Sequence, residues 1–305
     1  MFKGDDVAYA VTFIFAAAVV LLTAFLMWEL WVQSAESRAK FGLSFLWTTD
    51  WDPVAGNFGA LPFIYGTIVT SVLALLISVP LGVGAAIFLA ELAPPRVASA
   101  CAFLVELLAA IPSVIYGLLA LFTIVPLLQH YGEPFLKEVF GFLPFFQGPA
   151  IGQGYLAAGV VLSVMMFPFI IAISRESLAE VPRDQREAAL ALGATRWEAT
   201  FKVVVPYARL GILGSIFLGL ARALGETMAV TMVIGNDPAI HASLLAPGAT
   251  IAAVIANEFA EAGSSLQTSA LIEMGLVLFL VTIVVNALAR LLVIATSKKG
   301  TAQSA

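Results

Sequence analysis

Six long apolar runs divide this chain, and each is long enough to cross a membrane as an α-helix. Such a helix needs about 20 mostly apolar residues, because the hydrocarbon layer of a bilayer is ~30 Å thick. The chain is 61% hydrophobic and 11% charged, whereas soluble domains are about 25% charged. We therefore predict an all-α, polytopic membrane protein with six transmembrane helices. The six runs cover residues 7–28, 61–90, 100–128, 154–174, 210–235 and 271–296.

These runs give the chain three expected parts and an orientation. Residues 1–60 hold the first transmembrane helix and an outer loop, residues 61–296 form a core of five transmembrane helices, and residues 297–305 form a cytoplasmic tail. Lys and Arg accumulate on the cytoplasmic side of a membrane, so their distribution predicts that both termini are cytoplasmic. The predicted inner segments hold Lys3, Arg96, Arg175, Arg183, Arg186, Arg196, Lys202, Arg209, Lys298 and Lys299, against Arg38, Lys40 and Lys137 in the outer loops.

Several kinds of chemistry are absent from the sequence. Cys101 is the only cysteine, which excludes an internal disulfide and a thiolate metal cluster. The chain also lacks a phosphate-binding loop of the Gly-x-x-x-x-Gly-Lys-Ser/Thr type, so any ATP chemistry must come from another protein. We predict a chain with no catalytic residue, no metal and no cofactor, whose surroundings are membrane lipid and protein partners rather than nucleic acid.

Aromatic side chains are frequent in the first predicted outer loop. Trp47, Trp51 and Phe58 lie within it. Aromatic residues commonly sit at the boundary between membrane and water. We expect these three to act as boundary anchors rather than to bind a ligand.

The long cytoplasmic connection at residues 175–209 is predicted to form two short helices. Pro182 suits the first turn of the first helix, the alanines and leucines that follow favour its continuation, and Gly193 can adopt the left-handed conformation that ends it. Thr195 and Glu198 have the spacing of a capping box, which starts the second helix. Pro206 is expected to end that helix. Its apolar face, which needs a surface to dock against, consists of Trp197, Phe201 and Val204.

A motif in this connection resembles the EAA signature of permease subunits of ABC importers. The resemblance implies that the connection inserts into a cleft of a separate ATP-hydrolysing subunit and passes the motion of that subunit to the membrane helices. The alternative is an amphipathic segment that lies on the membrane surface, which would not need these residues at these intervals. All spacings match, with valine replacing isoleucine and leucine at two positions; the matching residues are Glu187, Ala188, Ala189, Gly193, Val203, Val205 and Pro206.

Three further stretches are similar to the PstC-type permease family of phosphate ABC importers. They are residues 57–91, 109–121 and 219–236, and the run from Phe58 to Thr67 favours this family over its sister, the PstA type. The resemblance implies a type I importer permease fold in a bacterial inner membrane and phosphate as the cargo. It also implies three partners, namely a PstA-like sister permease, a homodimeric PstB-like ATPase and an extracytoplasmic PstS-like phosphate-binding protein.

Two charged residues lie inside the fifth apolar run, Arg222 and Glu226. A charge at mid-membrane depth costs at least ~2.5 kcal/mol on insertion scales, so each needs a partner or a watery cavity. Residues four apart share one face of a helix. We predict that Arg222 faces the transport pathway, where its guanidinium matches two phosphate oxygens, and that Glu226 holds it in position. The alternative is an ion pair that only makes insertion tolerable or joins two helices.

Other functions stay open on the sequence alone. A permease of the same architecture could carry another oxyanion or nutrient. An ion-coupled secondary transporter would need coupling carboxylates and no ATPase, and the EAA-like motif disfavours it. A membrane receptor that senses phosphate without moving it is a third alternative.

Overall fold

The computed structural model describes the backbone of residues 3–301 and the side chains of residues 6–291. This part of the chain is a bundle of α-helices joined by short turns, 3₁₀ turns and π turns, and its only β contacts are two isolated bridges. The helices are α1 (Lys3–Gln33), α2 (Ala35–Phe41), α3 (Leu61–Ile87), α4 (Pro95–Ala109), α5 (Ser113–Leu119), α6 (Val125–Leu127), α7 (Glu133–Phe140), α8 (Tyr155–Ala179), α9 (Arg183–Ala191), α10 (Arg196–Ala199), α11 (Val205–Leu224), α12 (Met228–Val233), α13 (Ile251–Glu258) and α14 (Ser265–Thr301).

Six helical stretches of the described residues are long and apolar enough to cross a membrane. The prediction of an all-α protein with six transmembrane helices is therefore confirmed. Since four stretches precede α9 and six precede the end of α14, the N-terminus, α9 and the end of α14 lie on one side, called the N-terminal side below. The stretches are Asp6–Gln33, Leu61–Leu92, Ser113–Phe140, Tyr155–Ala179, Arg196–Leu224 and Ser265–Leu291.

The third stretch differs from its prediction. The run at 100–128 is not one helix, because the chain breaks at Ala110–Pro112 between α4 and α5. Pro112 has no backbone N–H and disfavours a helical conformation for the residue before it. The membrane-crossing stretch is consequently Ser113–Phe140, and α4 is a separate helix on the N-terminal side.

The fifth stretch was predicted at 210–235, and both of its ends are elsewhere. It begins at Arg196 and ends at Leu224. The segment Gly225–Thr227 separates it from α12, and glycine is a weak helix former. The predicted fifth helix is therefore two helices with a break between them.

The last helix is longer than predicted. Helix α14 continues to Thr301, so residues 297–301 are helical although they were assigned to the cytoplasmic tail. The rest of that tail, residues 302–305, lies outside the described residues.

Helices α3 and α8 form the centre of the bundle through close backbone approach. A Cβ atom added to Gly159 would lie 2.7 Å from the Cβ atom of Leu73, and one added to Gly82 would lie 2.9 Å from a methyl group of Ile170. Small residues let membrane helices approach closely and gain dispersion contacts. These glycines therefore fix the spacing of the two helices that support α9 and the fifth stretch.

Residues 34–60 form a folded segment, called the cap, on the side opposite to the N-terminus. Trp51 contacts the rings of Phe58 and Phe63 edge to face, each with ring centroids 4.9 Å apart. Its indole N–H donates to the Glu258 carboxylate at 3.0 Å. Trp51 and Phe58 are buried, so their prediction as boundary anchors is wrong: they pack the cap against the bundle. Trp47 is exposed.

Candidate functional site

Helix α9 carries the Glu-Ala-Ala motif and ends as the sequence predicts. Gly193 has φ +88°, a left-handed conformation that glycine adopts without strain. Its N–H donates to the Leu190 carbonyl at 2.9 Å, and the N–H of Ala194 donates to the Ala189 carbonyl at 3.1 Å. This pair of bonds is a Schellman motif, which satisfies the last carbonyls of a helix. The prediction of a glycine stop is confirmed.

The second helix of the connection starts as predicted but does not end as predicted. The Glu198 N–H donates to the Thr195 hydroxyl at 3.3 Å, and the Thr195 N–H donates to the Glu198 carboxylate at 3.0 Å, so the capping box is confirmed. Pro206 does not end the helix, which runs through to Leu224. A π turn at Thr200–Val204 directly precedes it. In a π turn the hydrogen bonds span five residues instead of four. Pro206 has no N–H to donate and would clash with the preceding turn of a regular α-helix, and the π turn lies at that position.

Arg186, on α9, joins three helices through one side chain. Its Nη2 atom lies 2.7 Å from Oε1 of Glu91, just beyond α3, and its Nε atom lies 3.2 Å from both carboxylate oxygens. Nη2 also donates to the Leu178 carbonyl at 2.7 Å, and Nη1 donates to the Val181 carbonyl at the end of α8. Charge-assisted bonds of this kind are about twice as strong as neutral ones. Arg186 therefore ties α9 firmly to the ends of α3 and α8.

Sequence reasoning missed this pair. The two residues are 95 positions apart, and Arg186 served in the sequence analysis only as one of the inner positive charges. The available signal was an arginine directly before the Glu-Ala-Ala motif and a lone glutamate at the end of the second apolar run. Neither observation indicates that Arg186 and Glu91 contact each other.

A groove separates α9 from the beginning of α10, with a volume of about 490 Å³. The small side chains of Ala188 and Ala189 line it, and a larger residue at either position would narrow the groove. Glu187 is exposed beside them. The motif therefore shapes an open concave surface on the N-terminal side.

Exposed apolar side chains follow α9 in the described part of the chain, and one of them, Leu192, lines this groove. Leu192 is 90% exposed, Trp197 60% and Phe201 41%, and the rings of Trp197 and Phe201 contact each other with centroids 4.2 Å apart. Of the predicted apolar face, only Val204 is buried, against α8 and the turn that follows it. Val204 thus faces the bundle, whereas Trp197 and Phe201 face outward.

Arg222 lies in the last turn of α11, and Glu226 lies beyond the end of that helix. The prediction that they share a helical face is therefore wrong, because the helix breaks at Gly225. The ion pairs among the described residues do not include these two. Instead, the guanidinium carbon of Arg222 lies 4.5 Å from the ring centroid of Phe169 on α8. Glu226 accepts a hydrogen bond from the Ala229 N–H at 3.4 Å and so caps α12.

A cavity of about 390 Å³ adjoins this helix break. It lies between the end of α11 and α14, and its lining includes Gly225 and Asn286. Arg222 itself is exposed. Among the described residues, Arg222 does not line this cavity; its guanidinium lies over the ring of Phe169 instead.

The predicted site residues fall into two groups at opposite ends of one helical stretch. The motif residues and the capping box lie together at the Arg196 end, and Arg222 lies near the other end. At a rise of ~1.5 Å per residue, the two groups are roughly 40 Å apart. No single site contains them all, but one continuous helix connects them.

Comparison with known proteins identifies the family. Residues 78–298 match the family described as "Binding-protein-dependent transport system inner membrane component". This chain belongs to that family. The matched region begins within α3 and includes α9 and the helix break at Gly225, whereas α1 and the cap precede it. The permease is thus a multi-pass membrane protein, the membrane component of an ABC importer that has other subunits.

Individual relatives are similar to the permease over most of its length. It is 50% identical over 289 residues to "Phosphate transport system permease protein PstC" of Pasteurella multocida (strain Pm70), covering 93% of this chain and 90% of the relative. It is also 50% identical over 262 residues to the protein of the same name from Xylella fastidiosa (strain 9a5c), covering 85% and 81%.

A solved structure supports the fold of the permease. A chain in the crystal structure of a bacterial alginate ABC transporter, in complex with an alginate pentasaccharide-bound periplasmic protein, matches with a TM-score of 0.60. The match covers 95% of each chain at 14% sequence identity. The architecture of α1–α14 is therefore that of an ABC importer permease.

Proposed function

We propose that this chain is the membrane-spanning permease subunit of an ATP-driven importer that translocates inorganic phosphate. The observation that carries the proposal is 50% identity over 93% of this chain to a relative named as a phosphate transport system permease. The open groove beside α9 and the Arg186–Glu91 ion pair agree with it, because they provide a docking surface and a connection to the membrane helices.

The proposal includes four kinds of subunit. A homodimeric PstB-like ATPase receives α9 and the exposed residues that follow it, Leu192, Trp197 and Phe201. A PstA-like sister permease completes the pathway, and a PstS-like binding protein delivers phosphate on the opposite side. Closure of the ATPase would displace α9, and Arg186 would transmit the displacement to α3 and α8 because it bonds to both.

Arg222 is proposed to contact phosphate during transport. Its fork of N–H donors suits a tetrahedral oxyanion, and the ring of Phe169, rather than Glu226, supports the guanidinium. A stacking partner holds a cation without using its hydrogen-bond donors. Arg222 is thus oriented while, within the described residues, its donors remain free for an oxyanion, which a tight ion pair would not allow.

The proposed orientation puts the N-terminal side in the cytoplasm. Both termini and α9 are then cytoplasmic, where ATP is available, and the cap faces the binding protein. We also propose that residues 1–60 are an addition to a core formed by residues 61–296. The family match begins only at residue 78, which supports this division.

Reconstitution of the complete importer tests the function. The full-length chain is purified with the subunits that accompany it, placed in proteoliposomes with its binding protein, and assayed for ATP hydrolysis with phosphate or sulfate outside. We expect phosphate to stimulate hydrolysis and to accumulate inside the vesicles. Stimulation by sulfate alone would favour a permease for another oxyanion. Uptake by this chain without any ATPase would favour an ion-coupled transporter.

A further inference from the structure

A cavity of about 330 Å³ lies where the end of α1 and helix α2 meet α14, on the side opposite to the N-terminus. Its walls are mostly apolar, and two charged residues line it, Arg38 and Glu273. The site is distant in the fold from α9, and it lies on a different face of α14 from the cavity beside Gly225. It combines a hydrophobic surface with charges of both signs at the boundary of the membrane.

Glu273 is the feature of this cavity that calls for a ligand. It lies on the membrane-crossing part of α14, is only 7% exposed, and its Oε2 atom has no hydrogen-bond partner among the described residues. The hydroxyl of Ser37 lies beside the carboxylate and Arg38 is a nearby positive charge, but neither the hydroxyl nor Oε2 meets the geometry of a hydrogen bond within the described residues. A buried carboxylate without a donor is costly. A cationic donor in the cavity would remove that cost.

Arg38 also lines the cavity, and one of its nitrogen donors is unused within the described residues. Its Nε atom donates to the Ser34 hydroxyl at 3.0 Å, and its Nη2 atom donates to the Trp31 carbonyl. The guanidinium carbon lies 3.6 Å from the centroid of the Trp31 ring. These contacts fix the side chain, and within the described part of the chain they leave Nη1 free. Arg38 is thus a rigid cation suited to an anionic oxygen.

We propose that this cavity binds one phospholipid with a zwitterionic headgroup that carries a primary ammonium. The ammonium would donate to Glu273, and the phosphate would accept from Arg38. A quaternary ammonium has no N–H to donate, and an anionic headgroup offers no cation to Glu273. The acyl chains would lie on the apolar wall formed by Leu43, Leu46, Leu276, Val277 and Leu280.

The lipid would also have a structural consequence. Helix α1 contacts the bundle mainly through its last turns, where Leu30 approaches Gly275, and the rest of the helix is largely exposed. A lipid seated between α1, α2 and α14 would add contacts at this junction. The cap follows directly in sequence, so the lipid would help to fix its position on the bundle.

Native mass spectrometry of the detergent-purified importer tests the site. The full-length chain, with its co-purifying subunits, is incubated with phosphatidylethanolamine, phosphatidylcholine or phosphatidylglycerol of identical acyl chains. We expect phosphatidylethanolamine to bind at least roughly tenfold more tightly than either, since it alone makes the charge-assisted bond to Glu273. Glu273→Gln should abolish this preference, and Glu273→Asp should retain part of it. Glu261→Gln, an exposed site outside the cavity, should leave it unchanged.

Two results would overturn the proposal. One is an unchanged headgroup preference in Glu273→Gln. The other is a photo-crosslinker at Leu46 that captures a polypeptide instead of a lipid in native membranes, which would assign the cavity to a basic residue of a neighbouring subunit. Because the crosslink needs no change at Glu273 or Arg38, it gives an answer even if the variants at those positions fail to assemble.

Discussion

Arg186 and Glu91 form a two-pronged ion pair that fastens α9 to the end of α3, with Nη2 2.7 Å from Oε1. Only 22% of the Arg186 side chain and 10% of the Glu91 side chain are exposed, so water screens the pair weakly. The same guanidinium binds two carbonyls at the end of α8. Any displacement of α9 must therefore move α3 and α8 or break these bonds.

Arg186→Gln is expected to lower both phosphate-stimulated ATP hydrolysis and phosphate transport. The change leaves Glu91 unpaired in a mostly buried position, and removal of one partner of a buried pair costs about 3 kcal/mol or more. Phosphate-stimulated hydrolysis in proteoliposomes should fall by roughly a hundredfold, because each 1.4 kcal/mol corresponds to a factor of ten. Glu91→Gln should act in the same direction.

A double variant separates coupling from general damage. Because the two residues act as a pair, Arg186→Gln with Glu91→Gln should be no worse than the more harmful single change. Arg183→Gln, which removes an exposed arginine from the same helix, is the matched control and should transport normally. Equal loss in Arg183→Gln, or additive losses in the double variant, would contradict the assignment.

Trp197→Ala should weaken association with the ATPase and leave folding intact. The side chain is 60% exposed and contacts Phe201, so its removal creates no core cavity. Aromatic anchors at interfaces cost about 2 kcal/mol or more when truncated. The measurement is the amount of ATPase that co-purifies with tagged permease. Tyr207→Ala, 59% exposed on the same helical stretch, is the control, and a similar loss there would reject a specific role for Trp197.

Local sequence patterns predicted local structure well in this chain. The capping box at Thr195 and the stop at Gly193 depend on residues within six positions of each other, so their geometry can be derived from spacing alone. The six transmembrane helices follow from composition for the same reason. What depends on tertiary contacts could not be derived: the Arg186–Glu91 pair spans 95 positions, and the burial of Trp51 depends on Glu258 and Phe63.

The effects of Pro112, Pro206 and Gly225 on their helices were harder to predict. Pro112 breaks the chain between two helices, whereas Pro206 lies in a continuous helix behind a π turn. A helix can continue through a proline when the turn before the proline widens into a π turn, as it does before Pro206. The positions of prolines in the sequence do not indicate whether this happens. The break at Gly225 separated Arg222 from Glu226 and replaced an expected ion pair by a contact with Phe169.

Arg222→Gln is expected to lower phosphate uptake by roughly ten- to a hundredfold, because charge-assisted hydrogen bonds contribute about 1.5–3 kcal/mol. Arg222→Lys should restore little, since lysine lacks the planar fork. Phe169→Leu should give a loss of only a few fold, in line with ~0.5–1 kcal/mol for a cation–π contact. Glu226→Gln should also be milder than Arg222→Gln. Uptake is measured in proteoliposomes, with assembly checked by co-purification; normal uptake in Arg222→Gln would remove Arg222 from the pathway.

The orientation of the chain in the membrane can be tested by labelling a cysteine introduced at one exposed leucine or at one exposed valine. In a Cys101→Ser background, Leu192→Cys lies on α9's side and Val54→Cys lies on the cap, and the native side chains are 90% and 97% exposed. A membrane-impermeant maleimide should label Val54→Cys in right-side-out vesicles and Leu192→Cys only in inverted ones, both prepared from cells without the ATPase so that position 192 is uncovered. The reverse pattern would place α9 outside the cell and would exclude contact with a cytoplasmic ATPase.

The left-handed stop at Gly193 can be tested with a matched pair of glycines. A Cβ atom would meet no other atom within 4 Å at either Gly193 or Gly214, but only Gly193 has a positive φ, at +88°. Gly193→Ala should therefore destabilise the end of α9 by about 1 kcal/mol or more. Gly214→Ala, within helix α11, should be neutral or stabilising by up to ~1 kcal/mol. Hydrogen exchange of the Leu190–Glu198 amides measures this difference directly: faster exchange in Gly193→Ala alone is the expected outcome. Equal protection in both variants would mean that the turn does not hold α9 in place.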